Sequence, residues 1–289
     1  MKRLLTYICL AMVSIMVFAD SPRAFLKAEY ESMSKTINTK IGDTITNKKD
    51  FVLKIGQGQS FYFDPQTNRI DSLENDPQGK ILLEQAEDAA FKKAMADMEA
   101  GLGETWFATR EKMGINRGSS YKNMKNFSTR TITVWDSQMG DRYRYPVEMD
   151  DLQWELLDPT KMVLDYECQL ASADYHGRKW FAWFAPEIPV QDGPWQLCGL
   201  PGLIMEAITA DGEYGFTIKG IQQCDEPLGD PYEDPDKIFK SNRIAVLRAK
   251  DYSRRNRAAH ISALTGGAVN LKPTVYKENI DFIETDYHE

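Results

Sequence analysis

The sequence is poor in the residues that metal and nucleophile chemistry draws on. Histidine occurs three times, at 176, 260 and 288, and no HExxH, HxH or Cys-x-x-Cys spacing accompanies it. The usual zinc and haem arrangements are therefore missing, and no metal or cofactor is expected. A surface site built from Tyr287, His288 and Glu289 is the weaker reading of a polar terminus. There is no Gly-x-Ser-x-Gly elbow and no glycine-rich phosphate loop, so the chain spells out neither a hydrolase nucleophile nor a nucleotide cradle. Cys168 and His176 fail as a nucleophile and base, because eight residues of one strand hold them roughly 26 Å apart. No apolar run beyond residue 19 approaches the length of a bilayer span. Basic charge is also in short supply: 35 Lys and Arg face 43 Asp and Glu, for a formal charge of −8. That balance argues against nucleic acid as a partner.

What is present begins with an export signal. Lys2 and Arg3 precede an apolar run over 4–18, and Val17-Phe18-Ala19 supplies small residues for cleavage before Asp20. About 15 apolar residues are too few to span a bilayer, so the run reads as a signal peptide over 1–19. Cys9 lies inside it, too far upstream to carry a lipid. Cleavage removes two bases and no acid, moving the formal charge from −8 to −10. The expected location is the periplasm or outside the cell, with no transmembrane segment after cleavage. In that compartment Cys168, Cys198 and Cys224 suggest one disulfide and one free thiol.

Along the chain, strand-like patterns at 30–34, 51–55 and 60–63 are separated by polar and glycine joints, the last two forming a hairpin. Residues 77–113 then place apolar residues at near-helical spacing, predicting a helical insertion at about 78–113 with one face on the sheet. From Thr129 strands return, and three hairpins follow from register. A turn at Met139-Gly140 sets Val134 opposite Tyr145, Ile132 opposite Val147 and Trp135 opposite Arg144, the last as an exposed cation–π pair. His176-Gly177 joins a strand from Leu164 to one ending near Pro186, and the apolar content of both faces predicts a central strand covered on both sides. Asp211-Gly212 sets Ala207 opposite Phe216 and Glu206 opposite Thr217. Beyond an acidic, proline-rich linker, eight Lys or Arg fall between Lys237 and Arg257, where Asp236 is expected to cap a solvated helix. Residues 20–265 read as one domain, and 266–289 as a tail partly disordered at its end.

The most distinctive stretch is 192–207, DGPWQLCGLPGLIMEA, a loop made rigid by Gly and Pro that feeds an apolar strand. Its GLPGLI run at 199–204, with Gly193-Pro194-Trp195, Tyr166-x-Cys168, Gly177-Arg178 and the Ala182 to Pro189 segment, resembles the GLPGLI family of Bacteroidota envelope proteins. The resemblance covers 120–222 well and 29–64 loosely. It implies an envelope protein, no established activity, and a site at the matching loop positions, whose role in the family is unknown. Extending the third hairpin downward brings Cys198 within one residue of Cys224, with a bulge at Pro201-Gly202 absorbing the offset, so a Cys198–Cys224 disulfide is expected; Cys168–Cys198 stays open as the alternative.

The strand rhythm and helical segments predict an α+β fold. Its sheet is expected to be antiparallel and strongly curved, a half-barrel like that of lipoprotein carriers, with helices packed on one side. The expected function is non-catalytic binding or carriage of a hydrophobic ligand, a peptide or an outer-membrane partner, with Trp183, Trp195, Leu200, Pro201, Gly202 and Glu206 as the candidate site. The alternatives are an assembly role, marked by an exposed apolar patch around Leu200, and a hydrolase using an acid pair near Glu206. No catalytic residue is assigned.

Overall fold

The computed structural model describes residues 22–37, 42–102, 105–138, 140–234, 236–264 and 282–288. The signal peptide lies outside the described residues. Among the described residues no helix is long and apolar enough to cross a membrane.

The chain runs β1 (Arg23–Ile37), β2 (Thr44–Gly56), β3 (Gln59–Phe63), α1 (Pro65–Asn75), α2 (Pro77–Glu99), α3 (Trp106–Lys112), β4 (Lys122–Asn126), β5 (Thr131–Gln138), β6 (Asp141–Glu148), β7 (Glu155–Val163), β8 (Tyr166–Tyr175), β9 (Arg178–Ala185), β10 (Leu203–Thr209), β11 (Tyr214–Pro227), β12 (Ile238–Lys240), α4 (Arg243–Arg255) and α5 (Arg257–Leu264). It is an α+β protein dominated by one open sheet of twelve strands, ordered β12-β6-β5-β4-β3-β2-β1-β11-β10-β9-β8-β7. β12 and β7 form its two edges, so the sheet is not a closed barrel. All neighbours are antiparallel except β12, which runs parallel to β6.

The hairpins form because alternating apolar residues and turn-forming pairs agree locally. Val134 faces Tyr145, Ile132 faces Val147 and Trp135 faces Arg144. Tyr175 pairs with Arg178 across a turn in which His176 and Gly177 both have positive φ, the signature of a two-residue hairpin turn. Ala207 faces Phe216 and Glu206 faces Thr217. Trp135 is buried, however, and makes no cation–π pair with Arg144: its indole N–H donates to Glu233, which Arg144 also grips at 2.7 Å.

Register carries one face across the sheet: Val147, Ile132, Lys125, Ser60, Ile55 on one line, and Tyr145, Val134, Asn123, Tyr62, Leu53, Ala28 on the next. It continues through Tyr30 and Phe216 to Ala207, Ala182 and Ala171. Loop 186–202 lies over this face, and the largest core cluster forms between them. The opposite face is covered less. On β9, Trp180, Ala182 and Phe184 are buried, while Phe181 and Trp183 are half-buried. β9 is flanked by β8 and β10 as a central strand, but its second face is only half-buried, and Leu164 belongs to the turn before β8 (φ 51°).

The helical insertion starts at Pro65, one helix earlier than the spacing predicts, because Asp64 caps α1 through Thr67 N–H at 3.0 Å with Pro at the first turn. Its helices pack chiefly on each other. In the basic segment, Asp236 does not cap a helix: 238–240 add a strand to β6, and Asn242 caps α4 through Ala245 N–H at 2.9 Å. The basic residues turn to internal acids, Lys250 to Asp136 and Arg243 to Glu284 and Asp286.

Candidate functional site

The 192–204 loop is held by a buried ammonium. Lys125 on β4 is fully buried and donates to Asp192 Oδ1 at 2.6 Å, to the Gly193 carbonyl at 2.6 Å and to the Leu197 carbonyl at 3.1 Å. Three donors meet three acceptors, the condition under which a buried charge is tolerated. Beside it, Asn123 Nδ2 donates to the Trp195 carbonyl at 2.8 Å, and Tyr30 Oη donates to the Ile204 carbonyl at 2.7 Å. Trp195 itself takes φ 53°, a left-handed conformation that costs a non-glycine residue roughly 1–2 kcal/mol. The cost is offset by its ring, which packs against Trp180, Phe216 and Tyr175 with centroids 5.5, 6.4 and 5.8 Å away.

The GLPGLI run is explained by this packing. Gly199 has φ 91°. Leu200 is buried at 1% exposure. A Cβ on Gly202 would sit 2.2 Å from the Ala185 carbonyl oxygen. Leu203 and Ile204 are fully buried at the start of β10. These residue types seat a plug on the sheet, and that is a structural task.

The candidate residues fall into two groups. Trp195, Leu200 and Gly202 belong to the covered face, with Pro201 exposed at its turn. Trp183 and Glu206 pair across β9 and β10 on the opposite face, where Glu206 forms an ion pair with Lys161 and Lys161 lies 4.6 Å over the Trp183 ring. Glu206 thus meets a base, not a second carboxylate. The expected disulfide is corrected as well: Cys168, Cys198 and Cys224 are all free thiols. The β10–β11 ladder stops at Glu206; β10 stays paired to β9 back to Leu203, and the chain before Leu203 leaves the sheet to form the plug. Cys198 therefore packs beside Ile132 and Tyr145, while Cys224 bonds to the Ala24 carbonyl beside β1. Burial pushes the Cys168 and Cys198 thiols up to about 11.

Sequence reasoning missed a polar network beside the plug. Gln196 is fully buried; its Oε1 accepts from Tyr175 Oη at 3.2 Å and lies 3.1 Å from His176 Nε2. Its Nε2 donates to Tyr121 Oη at 3.1 Å and to Glu284 at 3.2 Å. Residues 282–288, expected to lie in a tail partly disordered at its end, are docked here: Arg243 holds Glu284 and Asp286 at 2.7 Å each, and Thr285 N–H donates to the His176 carbonyl. Burial raises the Glu284 carboxyl, and Arg243 holds Asp286 below the usual carboxylate range. Burial first, and then Arg243, lower His176 to about 4. His176, Glu284 and Asp286 offer ligand atoms within 4.8 Å of one another, but the Arg243 guanidinium already bridges both carboxylates.

Between the plug, the 282–288 segment and β1, β2 and β11 lies a cavity of about 240 Å³. Phe51, Tyr62, Trp195 and Phe216 line it, with Tyr121, Lys49 and Glu284 among the polar residues. Phe51 and Tyr62 stack at 4.8 Å, and Phe216 meets Tyr62 edge-on. The Tyr62 hydroxyl is buried with no hydrogen-bond partner among the described residues, the kind of unsatisfied group that native proteins rarely leave without reason.

The fold and site define an open antiparallel sheet whose covered face is plugged by a glycine- and proline-stiffened loop and keeps an aromatic cavity beside it. Over residues 175–206 the chain matches a Bacteroidota-associated family described as a protein of unknown function, Porph_ging. That match spans the whole plug, although under a different name from GLPGLI. No curated protein matches. Two solved structures of PNGF-II, in P21 and C2 space groups, are similar at TM-scores of 0.46 and 0.44 and 10% identity. Each match covers 79% of this chain and 33% of the other, so the chain spans about a third of their length.

Proposed function

We propose that the protein is a non-catalytic binding protein of the cell envelope that holds a hydrophobic ligand in the aromatic cavity beside Trp195. The observation that carries the reading is the cavity itself, about 240 Å³ with aromatic walls and a few polar residues among its lining, the composition of small-molecule sites. The GLPGLI resemblance and the N-terminal signal support an envelope location, periplasmic or secreted.

A carrier-like half-barrel is supported by chain length. Glu148 ends β6 and Glu155 begins β7, so seven peptide units, at most about 25 Å, join them. In a flat sheet these strands would stand ten spacings apart, about 48 Å. We infer that the sheet curves and that its covered face is concave. The likeness to lipoprotein carriers is one of shape, and shape does not confer function.

Native mass spectrometry of the protein purified from its own envelope, followed by solvent extraction, tests the reading. A stoichiometric small molecule is expected, lost in Ser32→Trp, which fills the cavity. A clean apo mass for the wild type would sink it. Trp195→Ala is the wrong probe, since Trp195 is core.

An assembly role is the second reading. It does not rest on Leu200, which is buried, but on the insertion, where Phe91, Met98, Leu102 and Phe107 are each more than half exposed. Crosslinking from these positions to an envelope neighbour would favour it. The hydrolase alternative gains nothing from Glu206, which faces Lys161.

A further inference from the structure

We infer that the cavity selects a small aromatic acid, its ring against the wall formed by Phe51, Tyr62 and Phe216 and its anionic group at Lys49; this rests on the binding reading above. Register places Lys49 on the cavity side of β2, two residues from Phe51 and opposite Ser32.

The charge around the cavity is uneven in a way that decides the ligand's sign. Two acids line it, Asp136 and Glu284, and each is neutralised by the protein: Asp136 by Lys250, Glu284 by Arg243. The neighbouring acids are engaged as well, Glu31 with Lys48 and Asp50 with Lys219. Among the described residues Lys49 makes no ion pair, so the cavity presents one uncompensated cation at its exposed rim. An anion there gains a partner without breaking an existing pair, whereas a cationic ligand would meet repulsion and no free acid.

Size and wall chemistry define the rest. A cavity of about 150 Å³ takes a benzene ring, so the 240 Å³ here suits roughly a bicyclic ring. The walls carry the rings of Phe51, Tyr62, Trp195 and Phe216, which contact a flat ring more specifically than an aliphatic chain.

Isothermal titration of the full chain at pH 7 with 2-naphthoate and its uncharged isostere 2-naphthamide tests this. Naphthoate should bind the wild type roughly tenfold tighter, the size of one charge-assisted hydrogen bond. Lys49→Met should abolish that preference, the two probes then binding alike, with the thermal midpoint unchanged, and Ser32→Trp should abolish binding of both. Equal affinity for the two probes in the wild type, or a preference that survives Lys49→Met, would overturn the inference and leave the binding reading standing. If neither probe binds the wild type, the inference fails and the cavity loses its claim as the site.

Discussion

Lys125→Met removes the ammonium that pins the plug while keeping a similar length of apolar stem. The variant strands the Asp192 carboxylate, which is fully buried and keeps only the Gly193 N–H at 2.8 Å, and leaves the Gly193 and Leu197 carbonyls without that donor. Removing one partner of a buried pair costs about 3–5 kcal/mol, against total stabilities of about 5–15 kcal/mol. For a chain of this size each kcal/mol lowers the thermal midpoint by about 2–4 °C, so a fall of roughly 6–20 °C is expected. Urea unfolding followed by tryptophan emission is the assay, because Trp180 and Trp195 both lie in the affected core. Asp192→Asn in the Lys125→Met background should recover part of the loss, since it removes the stranded charge; a coupling of 0.5–3 kcal/mol is expected. If Lys125→Met costs less than about 1 kcal/mol, or if the two substitutions simply add, the ion pair does not anchor the plug and the account of the loop is wrong.

Three further predictions follow from the same geometry. Gly202→Ala drives a Cβ into the Ala185 carbonyl and should destabilise by about 3 kcal/mol; an unchanged thermal midpoint would show that the β9–β10 contact is looser than described. His176 is held at about 4 in the folded protein against an ordinary 6.5, so between those values the unfolded chain binds a proton that the folded one does not. Stability therefore falls as pH drops through that window, by up to about 3 kcal/mol. The raised Glu284 carboxyl works in the opposite direction, so the His176 contribution is read as the difference in urea midpoint between wild type and His176→Gln at pH 7 and 4.5; no difference refutes it. Iodoacetamide at pH 8 should modify Cys224 in the native protein and reach Cys168 and Cys198 only after unfolding; recovery of a Cys198–Cys224 linked peptide would contradict the free-thiol assignment.

The local parts of this fold were legible because their causes are local. The register of Val134 with Tyr145, or of Ala207 with Phe216, follows from alternation with period two and from the pairs at Met139-Gly140 and Asp211-Gly212. The glycines of the plug announced a special backbone, though not its purpose. The disulfide expectation failed because it extended the β10–β11 ladder beyond Glu206, where that pairing ends, and across Leu203, before which the chain leaves the sheet; no residue in the strand itself signals either break. Lys125 was passed over because a lysine in a polar strand reads as solvated; only Asp192, 67 positions away, makes it a buried anchor. The earlier helical start at Pro65 was missed although Asp64-Pro65 is an ordinary capping pair, because the apolar spacing over 65–75 is weak.

The sequence by itself determined the α+β class, the antiparallel hairpins and their turns, and the singular shape of the 192–204 loop, since these depend on residues within a few positions of one another. Tertiary structure alone decided that this loop is a plug, that residues 282–288 return to cap it through Arg243, and that a cavity remains between them whose Lys49 has no ion-pair partner among the described residues. Those outcomes depend on distant side chains meeting across the sheet, 67 positions apart for Lys125 and Asp192 and 41 for Arg243 and Glu284, and burial and charge pairing between such groups leave no periodic trace in the chain.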